Sequence, residues 1–251
     1  MPDIDVIFGI HPVESALQRH PERIDVLLLS EGRRDQRLHS LREQAEANGV
    51  RWRWVPKEKL DQLSQKGRHQ GALLRCQPLP IRGEGDLMSF LESLERPPFL
   101  LVLDGVQDPH NLGACLRTAS GVGVDGVVIP RDRSSPLTAT VHRVASGAVE
   151  TLPLFQVTNL ARVLRMLKEA GVWLVGLDER GESDVHHTDL RGALALVLGA
   201  EGQGLRRLSK EVCDLLIKIP MHSEVTSLNV SVAAGVCLYE ARRQRDLKDR
   251  P

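Results

Sequence analysis

The chain holds only four cysteines in 251 residues, at positions 76, 115, 213 and 237. They are too scattered for a CxxC zinc or redox motif and too few for a disulfide-stapled secreted domain, so reduced thiols in a folded interior are expected. Net charge is also missing, with 33 Lys plus Arg against 33 Asp plus Glu. No global basic field advertises a nucleic-acid partner, and any such partner must be found in local chemistry. No apolar run reaches 18 residues, so no spanning helix is expected. The amino terminus places Asp3 and Asp5 where an export signal would carry Lys or Arg, which predicts a cytoplasmic protein. Internal repeats and low-complexity tracts are absent as well.

What remains is an ordinary globular composition, 41% hydrophobic and 26% charged, with 21 Gly and 14 Pro. The length suits one large domain or two modest ones, and either buries roughly 70–75% of its unfolded surface. Residues 1–76 alternate short β-type and helical runs. Val6 to Phe8 precedes a helix opened by Pro12, Ile24 to Leu29 is a continuous buried-strand run, and Arg33 to Asn48 has helical spacing that stops at Gly49. Val50 to Val55 and Gly71 to Arg75 read as further strands. Residues 77–97 are expected to be a linker, since Gln77 to Asp86 concentrates Pro and Gly. From 98 to 251, apolar strands at Phe99 to Asp104, Gly126 to Pro130, Val172 to Asp178, Leu194 to Gly199 and Leu215 to Pro220 are separated by helical stretches. That pattern predicts a parallel α/β sheet covered on both faces, with helix starts at Ser135-Pro136 and after Thr158, and a last helix over about 227–245.

One motif is a decoy. Gly121-Val-Gly123-Val-Asp-Gly126 matches GxGxxG, yet its glycines end a helix and lead into a strand, the reverse of a dinucleotide fingerprint. His186-His187 lies in a polar loop without a third ligand at metal spacing, so no metal is expected. Three other segments fall where ligands of α/β sheets collect, at strand carboxyl ends. In Asp108-Pro-His-Asn111-Leu-Gly-Ala-Cys-Leu-Arg117, a helix begins near Asn111, and Arg117 is expected on the same side nearly two turns on. In Leu198-Gly199-Ala-Glu201-Gly-Gln-Gly204, glycines let a ligand approach the backbone closely around one acid. In Ile219-Pro-Met221-His-Ser-Glu-Val-Thr-Ser227-Leu228-Asn229-Val-Ser231, free amides and Ser and Asn side chains at a helix start suit carboxylate and hydroxyl groups.

Taken singly, each segment is explained by helix capping or a surface ion pair. Together and in this order, the chain resembles the SpoU (TrmH-type) RNA ribose 2′-O-methyltransferases of the SPOUT class. The resemblance implies a parallel-sheet α/β catalytic domain with a deep trefoil knot, a small amino-terminal α/β domain that resembles a ribosomal protein and holds RNA, and a homodimer through the catalytic domains. It implies S-adenosylmethionine as cofactor, with Gly199, Ile219, Met221 and Leu228 around it. Glu201, Ser227 and Asn229 would complete the pocket and its links to Arg117, and Asn111 would position the substrate. The branch it points to methylates a guanosine ribose in the peptidyl-transferase region of large-subunit ribosomal RNA. A transfer-RNA substrate and a non-catalytic RNA-binding role on the same fold stay open at this point.

Arg117 is expected at the reacting hydroxyl. A guanidinium with a pKa above about 12 is a poor base, so its expected role is to fix a phosphate or a developing alkoxide. For RNA, His69 and Gln70 in the turn Gly67-Arg68-His69-Gln70-Gly71 are the favoured contacts, with Arg68 beside them and Arg131, Arg133, His142 and Arg143 further on. Arg33, Arg34, Arg37, Arg51, Arg53 and Lys66 supply further cations, with Trp52 and Trp54 as stackable rings.

Overall fold

The computed structural model describes residues 4–31, 35–80, 82–222 and 227–248. From the amino terminus come β1 (Asp5–Phe8), α1 (Ile10–Arg19), β2 (Ile24–Ser30), α2 (Gln36–Ala47), β3 (Trp52–Val55), α3 (Lys57–Leu63) and β4 (Ala72–Cys76). Next are α4 (Glu84–Glu92), β5 (Phe99–Asp104), α5 (Pro109–Val122), β6 (Gly126–Pro130), α6 (Ala139–Ala145), α7 (Ala148–Thr151) and β7 (Leu154–Val157). The chain continues through α8 (Leu160–Glu169), β8 (Trp173–Leu177), β9 (Ser183–Asp184), β10 (Leu194–Gly199), α9 (Arg207–Val212), β11 (Leu215–Lys218) and α10 (Val230–Lys248). No described helix is long and apolar enough to cross a membrane.

Two compact units result. The first joins Met1–Pro80 to Leu137–Thr151, and the second joins Ile81–Pro136 to Leu152–Pro251. In the first, a four-stranded sheet of order β1-β4-β2-β3 has one face buried by α1 and α2, through Ile7, Leu27, Leu29, Leu38, Leu41 and Leu74. Helix α1 starts at Ile10 rather than at Pro12, because Gly9 at φ +99° turns the chain and the Gln70 amide oxygen takes the Ile10 N–H at 3.1 Å. Helix α2 is capped by Asp35, which accepts from the Leu38 N–H, and ends before Gly49 at φ +68°. Arg33 and Arg34 lie outside the described residues.

Helices α6 and α7 belong to this first unit although they fall mid-sequence. Glu150 of α7 is its buried anchor. Its carboxylate meets the Arg23 guanidinium at 2.9 Å and the His142 ring at 3.2 Å. Burial works to raise the Glu150 pKa, but the hydrogen bond and charge of His142, with the charges of Arg23 and His20, outweigh it and hold the carboxyl below its ordinary value. His142 is thus buried, against its expected place on an RNA-facing surface.

In the second unit, seven strands run in the order β7-β6-β5-β10-β8-β11-β9, every pair parallel. The core strands β5 and β10 are apolar on both faces, as a doubly covered sheet requires. Residues 84–92, expected within a linker, form α4, whose Leu87 is fully buried in this unit's core. Strand β7 and helix α3 were not expected. Two helix starts also move: Thr138, not Ser135, caps α6, and Asn159, not Thr158, caps α8. Gly123, in the left-handed region at φ +78°, ends α5 and confirms that the GxGxxG match runs from helix to strand.

Candidate active site

The site lies at the carboxyl end of β10, beside the parallel neighbours β5 and β8. Strand β10 ends at Gly199, in register with Asp104 of β5. Asp104 is fully buried, and its carboxylate accepts the Arg206 N–H at 3.0 Å and meets the Arg206 guanidinium at 3.4 Å. This fixes the far end of the loop 200–205. The loop folds back so tightly that a Cβ on Gly199 would fall 1.9 Å from the Gly204 carbonyl carbon. Gly202 and Gly204 take φ of +72° and +63°, which favours glycine.

A cavity of about 390 Å³ opens against this loop. Gly199, Glu201, Ile219, Met221, Ser227 and Leu228 all line it. The structure brings these six expected residues, drawn from two of the three segments, around one space. Leu177 to Arg180 at the end of β8 and Lys210 of α9 line it as well. Asp178 is buried there and paired with Lys210, and it accepts the Arg180 N–H at 3.0 Å. Burial opposes ionisation of Asp178, yet the Lys210 and Arg180 contacts prevail and keep its carboxyl below the ordinary carboxylate value. Sequence reading gave Asp178 no role in the site. The signal was present, since it closes a buried strand run as Asp104 does.

Beside the cavity, Glu201 joins two helix starts. Asn111 Nδ2 and Asn229 Nδ2 each donate to Glu201 Oε1 at 2.6 Å, and Asn229 Nδ2 also reaches Asn111 Oδ1 at 2.9 Å. Asp108 caps α5 by accepting the His110 and Asn111 N–H groups. Asn229 stands before α10, and its Oδ1 accepts the N–H and hydroxyl of Ser231. Two positive helix ends and two amides thus converge on one carboxylate.

The chain matches the SpoU rRNA methylase family model over residues 98–239, and a model described as RNA 2′-O ribose methyltransferase substrate binding over residues 6–81. The chain belongs to the SpoU rRNA methylase family. Among curated relatives, the 23S rRNA (guanosine-2′-O-)-methyltransferase RlmB of Shewanella oneidensis is 53% identical over 96% of this chain and 98% of its own length. The protein of the same name from Escherichia coli is 49% identical over 96% and 99%. Among solved structures, the SpoU methyltransferase AviRb of Streptomyces viridochromogenes in complex with AdoMet superimposes with a TM-score of 0.81 at 22% identity, over 97% of this chain and 91% of that one. That likeness is one of fold.

Within this SpoU site, the expected links of Glu201, Ser227 and Asn229 to Arg117 are corrected: the Glu201 and Asn229 bonds run to Asn111. Arg117 is six residues beyond Asn111, which at 100° per residue turns it about 120° around α5. It is exposed and makes no hydrogen bond or ion pair with another described residue. The RNA contacts in the Gly67 to Gly71 turn are corrected too. His69 is buried, with Nε2 at 3.0 Å from Asp61 and Nδ1 accepting the Gly71 N–H, and Gln70 caps α1. Both side chains build the turn. Arg68 and Arg131 are exposed and Arg143 is half-buried. His186 and His187 face Glu240 and Asp184.

Burial pushes all four thiols up to about 12, so none is a ready nucleophile.

Proposed function

We propose that this protein transfers the methyl group of S-adenosylmethionine to the 2′-hydroxyl of a guanosine ribose in 23S ribosomal RNA, in its peptidyl-transferase region. The observation that carries the reading is the meeting of the three family segments at the end of β10, two of them lining one cavity and the third joined to it through Asn111 and Glu201, in a chain matched along its length to relatives named for that reaction.

The cavity suits the cofactor in size and in donor set. Its volume falls in the range of small-molecule sites. Leu198, Met221 and Leu228 offer apolar wall, and the backbone at 199–204 is open to close approach. Gly199, Ile219, Met221 and Leu228 would hold the adenosine. When bound, the cofactor supplies an activated methyl on a sulfonium.

The chain's own residues then have three tasks. Glu201, fixed by Asn111 and Asn229, holds the starts of α5 and α10 together so that the substrate ribose meets a preorganised edge. Ser227, exposed at the cavity rim, offers a hydroxyl to the same edge. Arg117, with a free guanidinium fork, grips the adjacent phosphate and stabilises the alkoxide charge that develops as the hydroxyl loses its proton. Arg68, Arg131 and Arg143 extend phosphate contact.

The protein acts in the cytoplasm as a homodimer. Val232, Tyr239 and Leu247 recur at seven and eight residues along α10 and are more than half exposed. An apolar stripe of that kind on one helix suits a second copy. The catalytic domain carries the trefoil knot of its class, a reading supported by the match to the SpoU rRNA methylase family model over residues 98–239.

The test is to incubate total RNA from a strain lacking this protein with the protein and labelled donor, then map the modified ribose. One labelled guanosine in 23S RNA is expected. Label confined to transfer RNA, or none, would overturn the reading.

A further inference from the structure

The two faces of the first sheet are sorted by strand parity. On β3, Trp52 and Trp54 point to the core under α2, where the Arg42 guanidinium lies 5.7 Å from the Trp52 ring centre and His39 packs edge-on to Trp54. The tryptophans are therefore not the RNA-stacking rings that their neighbouring arginines suggested. Arg51 and Arg53, one residue out of phase, project to the opposite face. On the central strand β2, Val26 and Leu28 share that second face, in register with Arg75 and Leu73 of β4, and Arg53 stands opposite Leu28 on the other side.

This arrangement makes a second cavity, about 360 Å³, lined by Val26, Leu28, Val55 and Leu63 below and by Arg51, Arg53, Lys59 and Arg75 around them. The four cations are exposed, and none has an ion-pair partner among the described residues. Arg51 spends one donor on the Asp25 carbonyl at 3.2 Å. Arg53 and Arg75 lie two strands apart, about 9.5 Å across the sheet, and two residues out of register, so they flank the apolar floor on a diagonal of roughly 12 Å, room for one nucleotide base. Four like charges held together around a greasy floor are unfavourable alone, and become favourable when an anion with a flat apolar part enters.

We propose that this cavity seats an unpaired stretch of the substrate RNA, with Arg51, Arg53, Lys59 and Arg75 on phosphates and a base against Val26, Leu28 and Leu63. The inference rests on the reading above that the substrate is RNA, and it moves base recognition in this unit from His69 and Gln70 to the sheet face, with Arg68 kept as a phosphate contact. A duplex presents phosphates but no free base, so single-stranded RNA is the favoured occupant.

The test uses the full-length protein and a transcript of 23S RNA, comparing Arg53→Gln/Arg75→Gln with a control of equal charge loss elsewhere, Arg19→Gln/Arg165→Gln. Each lost phosphate contact on single-stranded RNA lowers the slope of log affinity against log salt by about 0.7, so the first double variant should lose about 1.4. Its turnover at saturating RNA should be retained, and an unpaired oligoribonucleotide should compete for the wild-type protein better than a blunt duplex of equal length. Equal losses for the two double variants, no loss in either, or better competition by the duplex would overturn the proposal. If wild-type protein binds the transcript with this signature yet transfers no methyl, the proposed function fails while the seat stands.

Discussion

Replacing Gly199 by Ala tests whether the close return of the 200–205 loop shapes the cavity. The new methyl carbon would lie 1.9 Å from the Gly204 carbonyl carbon, 2.1 Å from its oxygen and 2.2 Å from the Leu205 nitrogen. Non-bonded carbons rest at about 3.5–4.0 Å, so backbone must move by roughly 1.5 Å or more. No flexible side-chain end can absorb this, because all three obstructing atoms are main chain and Arg206 is tied to Asp104 at the loop's far end. Overpacking of this kind costs about 1–3 kcal/mol, which for a domain of this size lowers Tm by roughly 2–12 °C. Global stability of about 5–15 kcal/mol covers that loss, so the protein still folds. Displacement of about 1 Å in a positioning loop costs about 100-fold in rate, and turnover should fall by that order. Differential scanning calorimetry measures the first effect and single-turnover methyl transfer the second, with titration of S-adenosylmethionine beside them and Gly85→Ala as control, where a Cβ meets nothing within 4 Å. Unchanged Tm and unchanged cofactor affinity in Gly199→Ala would refute the reasoning.

Three further outcomes follow from the same geometry. Glu150→Gln leaves the buried Arg23 and His142 without their anion and should cost about 3–5 kcal/mol in urea unfolding; because the folded Glu150 pKa lies below its ordinary 4.5, its contribution is full above that value and fades as pH falls through the lowered one, so the variant should lose part of the wild-type acid limb. Arg117→Lys keeps the charge but not the fork, and single-turnover methyl transfer should drop by about 10²–10³ while RNA affinity stays within a few fold; near-native turnover would exclude the guanidinium role. Tyr239→Glu buries a charge in the α10 stripe if two copies meet there, so sedimentation should show monomer, and a persisting dimer would place the interface elsewhere.

How far the sequence could be read depended on how local each signal was. Strands β5, β6 and β10 appear at their expected bounds because they are continuous apolar runs closed by Asp, Pro or Gly. Strand β7, Leu154–Val157, is four residues long and hides after a proline, and α4 has the glycine content of a linker while burying Leu87. The lining of the cavity was legible through the joint order of the motif segments, two of which supply it. Which partner each side chain would choose was not: Asn111 meets Glu201 ninety positions away, and His69 turns inward to Asp61. Nothing in the local spacing of Arg51 to Trp54 says which pair faces the helices. Only the register of β3 against β2 decides it.

The placement of α6 and α7 sets where this chain can be cut. Leu137–Thr151 is encoded inside the stretch that matches the methylase model, yet it completes the hydrophobic interior and the Arg23–Glu150 pair of the amino-terminal unit. A fragment starting at residue 98 would carry Val141, Ala145, Val149 and an orphaned acid into water, and a fragment ending at residue 80 would lack the piece that closes it. The substrate-binding unit is thus an interleaved partner in folding, and deleting it is not a clean way to ask what catalysis alone requires.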